Sequence, residues 1–454
     1  MKKKDYININ NGAPRNGLNA YSLAGIGIGG MIGAGFFLGS SLAVTQAGPS
    51  IIIAFLLGGI IMSQVLGAMT SISINRPVQG SFRVYTEQFL GKFIGFVLGW
   101  VVFTSGILTL SSEAIASGVF LKYWMPNISS TIFALSTLII TVGINGLGTK
   151  YFGYIESVMA IVKIAILIIF IVLGGIFIIK NGITITPSPF ASYNSFFPNN
   201  ISGFLQSMLI VIFTYAGISA VAMAAAEVNR PCVEIPKATV IMTLGVIILY
   251  VISMFIIVST VKWNLMNTNI SPFVQSFNKM GYKWASTLTN AVILIATLSV
   301  MSGTYYSCVQ ILVSLSSASE SPKIFKNTTQ RGFYRNAWIA TGLLPLLVVL
   351  ISFVLGTKLF NYLISSSSYF SFFNWIINLI TYIIWLKKRS EKEIYNSPLI
   401  KGRLGTIITI IVILVLLVIS LRVSDFRIGF YVSLAVLASI CISYKLLKRY
   451  VKAN

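Results

Sequence analysis

The chain has 454 residues, of which 56% are hydrophobic and 9% charged, with no histidine and only three cysteines. A soluble domain carries about 25% charged residues, so this composition excludes one and makes a bilayer the solvent. Without histidine there is no His triad, His zinc site or His proton relay, and the scattered Cys232, Cys308 and Cys441 form no CxxC pair or disulfide framework.

Residues 1–20 form a basic, polar segment, expected on the cytoplasmic side. The glycine-rich apolar stretch after it is too long for the apolar region of a signal peptide and is expected to stay as the first span. Breaking the hydropathy at charges, prolines and polar clusters predicts an all-α integral membrane protein. Its spans are expected at 21–45, 49–72, 92–121, 130–147, 153–179, 202–226, 238–261, 284–314, 337–355, 359–386, 404–421 and 427–445. Twelve spans put both termini on one side. With the N-terminus inside, cytoplasmic segments hold 24 of the 33 basic residues and outer loops hold 8, the last being Lys163 within a span. That excess places both termini in the cytoplasm of a plasma membrane protein. The net charge of +23 therefore reads as orientation charge, with no nucleic acid implied. The six bases of 387–403 have anionic lipid as a secondary contact, and Trp124, Trp263 and Trp284 fall at expected outer interfaces.

The polar outer loop around 180–200 divides the first ten spans into 21–179 and 202–386. Such a break fits an inverted repeat of five plus five helices, followed by two more helices over 404–445 and a cytoplasmic tail over 446–454. Spans 1 and 6 are the two interrupted by glycine.

In span 1 the run GIGIGGMIGAGFF (25–37) packs six glycines into eleven residues. A small-residue packing face, Gly29-xxx-Gly33, accounts for part of it. Gly29, Gly30, Gly33 and Gly35 together favour an unwound segment whose free amides, backed by a helix N-terminus, cradle an anionic group such as a carboxylate. In span 6 the run FTYAGISAVAMAAAEVNRPCVEIPKA (213–238) is interrupted at Ala216–Gly217 at matching depth. Its freed carbonyls would suit an ammonium group, and the two breaks together describe an α-amino acid.

These two runs resemble the amino acid–polyamine–organocation superfamily, in particular its bacterial amino acid permeases. RPVQGSFRVYTEQFLGKFIGFVLGW (76–100) is similar to the loop between helices 2 and 3, and Glu113 followed by YWMP (123–126) to helix 3 and its exit. ESVMAIVKIAIL (156–167) resembles helix 5 with its lysine, and LSVMSGTYYSCVQILVSLS (298–316) resembles helix 8. The resemblance implies the five-plus-five fold with discontinuous helices 1 and 6, and alternating access around a midplane site. Carried over by position, Gly33, Ala34 and Gly35 offer amides to the substrate carboxylate. The carbonyls of Met31, Phe213 and Ala216 take the amino group, and the Phe213 ring lies over the substrate. Ile32, Thr214, Gly217 and Ser219 complete the expected substrate-binding set at the two breaks. Related folds that use sodium hold it between the helix 1 break and two helix 8 hydroxyls, where this chain has Ser299 and Ser302. In the resembling permeases the helix 5 lysine, here Lys163, takes that place. Three positions depart from the pattern: Ser219 replaces a glutamate, Gly67-Ala68 replaces a GE pair, and Gln310 replaces an arginine.

Glu113 is the one acid and Lys163 the one base well inside a span. Each is costly there, which makes a coupling role the expectation for both, with Glu113 as a proton site. The run Ser365–Ser368 suits either a pore lining or hydrogen bonds between helices. The expected protein is a secondary transporter of a neutral amino acid, coupled to protons. It is not an enzyme, since no Walker A motif and no nucleophile–base spacing are present, and it needs no cofactor, metal or obligate protein partner. A polyamine or GABA permease or an amino acid exchanger is the near alternative. An amino-acid-sensing receptor is the alternative of another class.

Overall fold

A computed structural model describes residues 19–75, 81–147, 149–185, 188–218, 228, 230–329, 332–356, 358–390, 393 and 402–453. Among them every regular element is helical. Long apolar segments in a bilayer must satisfy their own backbone groups, and helices do so within one segment. Ten helical stretches are long and apolar enough to cross a membrane, and two shorter apolar helices, Ala20–Met31 and Ser130–Gly146, accompany them.

The first predicted span is split. Helix α1 (Ala20–Met31) ends at Ile32, whose backbone is extended (φ −83°, ψ 91°). A π-helical turn (Gly35–Gly39) and α2 (Ser40–Ala47) follow. Gly48, at φ +62°, turns the chain into α3 (Ile51–Asn75). Only glycine adopts that φ without strain, and a β-carbon there would also run into the Pro198 ring. Next come α4 (Ser81–Leu90), α5 (Lys92–Leu121), α6 (Ser130–Gly146), α7 (Thr149–Asn181), α8 (Tyr193–Phe196) and α9 (Asn200–Thr214). The second half of the chain holds α10 (Pro231–Thr260), α11 (Pro272–Lys279), α12 (Lys283–Ser317), α13 (Arg335–Leu350), α14 (Ser352–Leu355), α15 (Lys358–Lys388), α16 (Gly402–Ser420) and α17 (Ser424–Ala453).

Burial separates a central group from a lipid-facing one. Helix α3 is enclosed along most of its length, whereas α16 and α17 expose most of theirs as isoleucine, leucine and valine. Helix α5 packs against α12, α15 and α6, and α1 packs against α7 and α10. Buried hydroxyls that are hydrogen-bonded are satisfied in two ways. Many bond back to their own helix, as Ser71 Oγ does to the Gly67 carbonyl (2.7 Å). Others bridge helices: Ser367 Oγ meets Ser105 Oγ (3.1 Å) and Thr109 Oγ1 (3.0 Å), joining α15 to α5. Ser433 Oγ donates to the Ser366 carbonyl (3.3 Å), joining α17 to α15. The serine run of span 10 is thus fully buried and, at Ser366 and Ser367, bonds between helices.

Candidate functional site

The site forms where α1 stops. The Ile32 amide still reaches back to the Ile28 carbonyl (3.1 Å), and the next helical bonds are those of Phe36 and Phe37 to the Gly33 carbonyl. Between them the amides point away from the helix. The Ala34 N–H donates to both carboxylate oxygens of Glu113 on α5, at 2.9 and 3.0 Å, and the Gly35 amide faces the same carboxylate. Glu113 is 2% exposed. Buried ionic groups need such partners, and these come from the backbone of the break. The amides expected to take a substrate carboxylate therefore carry a side-chain carboxylate in this structure.

On the other side of α1 lies Lys163 of α7, fully buried. Its Nζ donates to the Gly29 carbonyl (2.5 Å) and to Ser299 Oγ on α12 (2.7 Å). Ser302 Oγ, buried on the same helix, has no hydrogen-bond partner among the described residues. Lys163 is also near enough to Glu113 to act on it electrostatically. The carbonyl end of α1 is thus tied to an ammonium group and the amide side of the break to the carboxyl group of Glu113, each suited to the partial charge it meets.

The second break closes against the first. Helix α9 ends at Thr214, whose hydroxyl bonds back to the Val211 carbonyl (2.7 Å), and a tight turn spans Ala216–Ile218. A β-carbon at Gly217 would overlap the Gly30 carbonyl, so glycine is required for the two breaks to touch. The Phe213 ring lies against Gly35, 2.6 Å from where a β-carbon would be. Ser219 lies outside the described residues. The Met31 carbonyl accepts a hydrogen bond from the Tyr250 hydroxyl (2.9 Å), so this carbonyl too is engaged by a side chain.

Tyr250 was not singled out by its sequence. It sits in the apolar run LGVIILYVISM of α10, and its one signal is a phenol within a span, which needs a buried partner. Its ring stacks on Phe36 with centroids 3.7 Å apart. Phe273 of α11 meets Phe36 and Phe37 edge-on at 5.2 and 5.1 Å, and Phe170 lies 4.8 Å from Phe273. A cavity of about 210 Å³ lies at the start of α2, lined by Leu38, Leu42, Val119, Asn269, Lys358 and Phe360.

At the opposite end of the bundle, two groups of polar contacts hold helix ends together. The Ala20 N–H at the start of α1 donates to Glu234 Oε2 at the start of α10 (2.7 Å), and Lys237 Nζ lies 4.6 Å from the Tyr21 ring centroid. Arg83 of α4 pairs with Glu320, just beyond α12, at 2.5 Å, with Glu87 at 3.4 Å. Burial pushes the Glu320 carboxyl up to about 7, against the pull of Arg83 and Lys92 and with a smaller push from Glu87.

The family model for the amino acid permeases matches residues 23–453. The chain is 33% identical to the amino acid permease YvbW of Bacillus subtilis (strain 168), over 81% of this chain and 83% of that one. It is 32% identical to YtnA of the same organism, over 84% of each chain. Against the aromatic amino acid transport protein AroP of Escherichia coli (strain K12) it is 28% identical over 92% of each. With a broken first span, long apolar helices and a match over nearly its whole length, the chain belongs to the amino acid permease family.

Proposed function

We propose that this permease carries a neutral amino acid across the plasma membrane by alternating access, coupled to protons. The architecture in this reading is twelve membrane helices. They comprise a repeat over 21–179, its inverted partner over 202–386, two helices over 404–445 and both termini in the cytoplasm. The observation that carries it is the meeting of two broken helices at Gly30 and Gly217, with backbone amides on one side and Lys163 on the other. Backbone groups outside a helical ladder are tolerated in a bilayer where they line a binding site; here the amides now held by Glu113 would serve a substrate carboxylate, and the carbonyls of Phe213 and Ala216 its ammonium.

Neutrality follows from the charges available. Glu113 is engaged by the break, and Ser219 stands where resembling permeases have an acid, so a cationic side chain would be buried without a partner. AroP transports aromatic amino acids by its name, a neutral class. The test is a thermal-shift screen of the purified protein against the twenty amino acids, followed by uptake of the hits into proteoliposomes. A ligand at 100 times its dissociation constant adds about 2.7 kcal/mol of stability. Arginine or lysine outcompeting every neutral amino acid refutes neutrality, and binding without flux favours a receptor.

A further inference from the structure

Glu113 does for the helix break what a substrate carboxylate is proposed to do. Both of its oxygens lie on the Ala34 amide, and the Gly35 amide faces them. Its Oε1 would lie 2.7 Å from a β-carbon on Gly33, so the carboxylate is seated directly against the backbone. An α-amino acid brings a group of the same shape, charge and donor requirement to the same few N–H groups. The two carboxylates cannot both have them.

We propose that Glu113 is a tethered substitute for the substrate carboxylate. It holds the break between transport events, is displaced when an amino acid binds, and takes up one proton as it leaves the amides. The inference rests on the amino acid reading above and goes beyond it: substrate binding and proton binding become one exchange at one backbone site.

Among the described residues two ionisable groups face Glu113, Lys163 from α7 and Tyr250 from α10. The other elements packed on α5 bring no charge to its middle. Helix α6 has none, α12 has only Lys283 at its start, and α15 has Lys358, Lys387 and Lys388 at its ends. Helix α13 has Arg335 at its start, α4 has Arg83 and Glu87 near the far end of the bundle, and the charges of α17 lie near its ends. With Glu113 ionised, its charge is balanced by Lys163. Displaced by a second carboxylate, Glu113 would be a buried anion stripped of its backbone donors. A carboxylate in that position is more stable protonated. The step is balanced as one proton from solvent added to one carboxylate oxygen, with no other covalent bond made or broken.

The experiment uses purified wild-type protein and Glu113→Gln in weakly buffered detergent, with a mixture of the twenty amino acids as probe. Thermal shift reads binding and a pH indicator reads protons. Wild type is expected to take up about one proton per bound amino acid and to bind less tightly as pH rises. In Glu113→Gln the neutral amide competes for the Ala34 N–H about half as strongly, so binding tightens about tenfold, loses its pH dependence and takes up no proton. Infrared difference spectra of wild type alone should show a protonated carboxyl band on adding the mixture, a readout that survives if the variant does not fold. Binding by wild type without proton uptake or that band overturns the proposal and leaves the amino acid reading intact. In that case displaced Glu113 stays ionised against the substrate ammonium. Weaker binding in Glu113→Gln makes the glutamate a fixed brace of the break and equally overturns it. A mixture that shifts neither protein overturns the amino acid reading itself.

Discussion

A β-carbon on Gly33 would come within 2.7 Å of Glu113 Oε1 and 2.9 Å of Val300 Cγ2, and one on Gly35 within 2.6 Å of the Phe213 ring. Valine at either position must push a buried neighbour aside, and overpacking of this kind costs about 1–3 kcal/mol. At Gly33 it also displaces the carboxylate from the break, and at Gly35 it displaces the ring. Gly33→Val and Gly35→Val are therefore expected to insert into the membrane normally but to lose the thermal shift given by the amino acid mixture. Wild-type binding in either variant would mean the amides are not the cradle. These glycines stood out in the sequence because so many in one span have a cost in helix stability that packing alone does not require. The occupants of the break did not stand out. Nothing in the spacing of Glu113 from Ala34, 79 residues apart, says that one carboxylate meets that amide. The Tyr250 hydroxyl on the Met31 carbonyl spans 219 residues and was equally hidden. Hydropathy marks a charge or phenol in a span as needing a partner but cannot name the partner.

At the scale of elements, hydropathy found the apolar helices and missed the polar ones. Helix α5 runs over Lys92–Leu121, the bounds of the third predicted span, because charges and a glycine mark its start and a tyrosine–tryptophan–proline run its end. Helix α4, read as loop, is a ten-residue helix, and α11 lies in what was read as an outer loop. Both are amphipathic and too polar to register as spans. Helix α4 does more than connect. Its Arg83 is buried and joined to Glu320, so it clasps the end of α12. Glu320 has its ordinary carboxyl value of 4.5 when unfolded and about 7 when folded, because burial disfavours the ion more than Arg83 favours it. The folded state then binds more protons than the unfolded state between those values. The contribution of Glu320 to stability is fully present below about 4.5 and is lost as pH rises through about 7. Melting temperature in this window is expected to fall with rising pH, and Glu320→Gln should flatten that part of the profile. An unchanged slope in the variant would assign the effect elsewhere.

A second clasp at that end is the cap on α1. The Ala20 amide is one of the donors that a helix start leaves without a carbonyl, and Glu234 of α10 supplies the acceptor across 214 residues. The carboxylate also meets the positive end of the helix dipole. Loss of a capping acceptor costs about 0.5–2 kcal/mol. Glu234→Ala is expected to speed hydrogen exchange at the amides of Ala20–Leu23 by up to about tenfold, with α10 unaffected beyond its first turn. Equal protection in the variant would show that Asn19, whose side chain accepts from the Ser22 amide at 2.9 Å, suffices as the cap.

Across the whole molecule, the central question is what drives transport, and Lys163 bears most directly on it. Its ammonium is fully buried and spans three helices: it sits on α7, donates to the last turn of α1 and reaches Ser299 on α12. A sodium ion in that position would supply one positive charge to the same carbonyl and hydroxyl oxygens. The ammonium supplies that charge covalently, so the expectation is that the protein holds α1 against α12 without sodium. A proton can still enter the cycle, through Lys163 when the contact opens or through Glu113 when the substrate displaces it. Removing the ammonium leaves the Gly29 carbonyl and Ser299 hydroxyl without this partner and Glu113 without its nearby positive charge. Each buried polar group left unsatisfied costs about 1–3 kcal/mol. Uptake into proteoliposomes is therefore expected to proceed equally in sodium and choline, to rise with an inward proton gradient and to fail in Lys163→Met. Uptake that strictly requires sodium refutes the assignment of Lys163 to the cation's place. Sodium-free uptake that ignores the pH step would make Lys163 a structural tether and leave exchange or facilitated diffusion as the mode of transport.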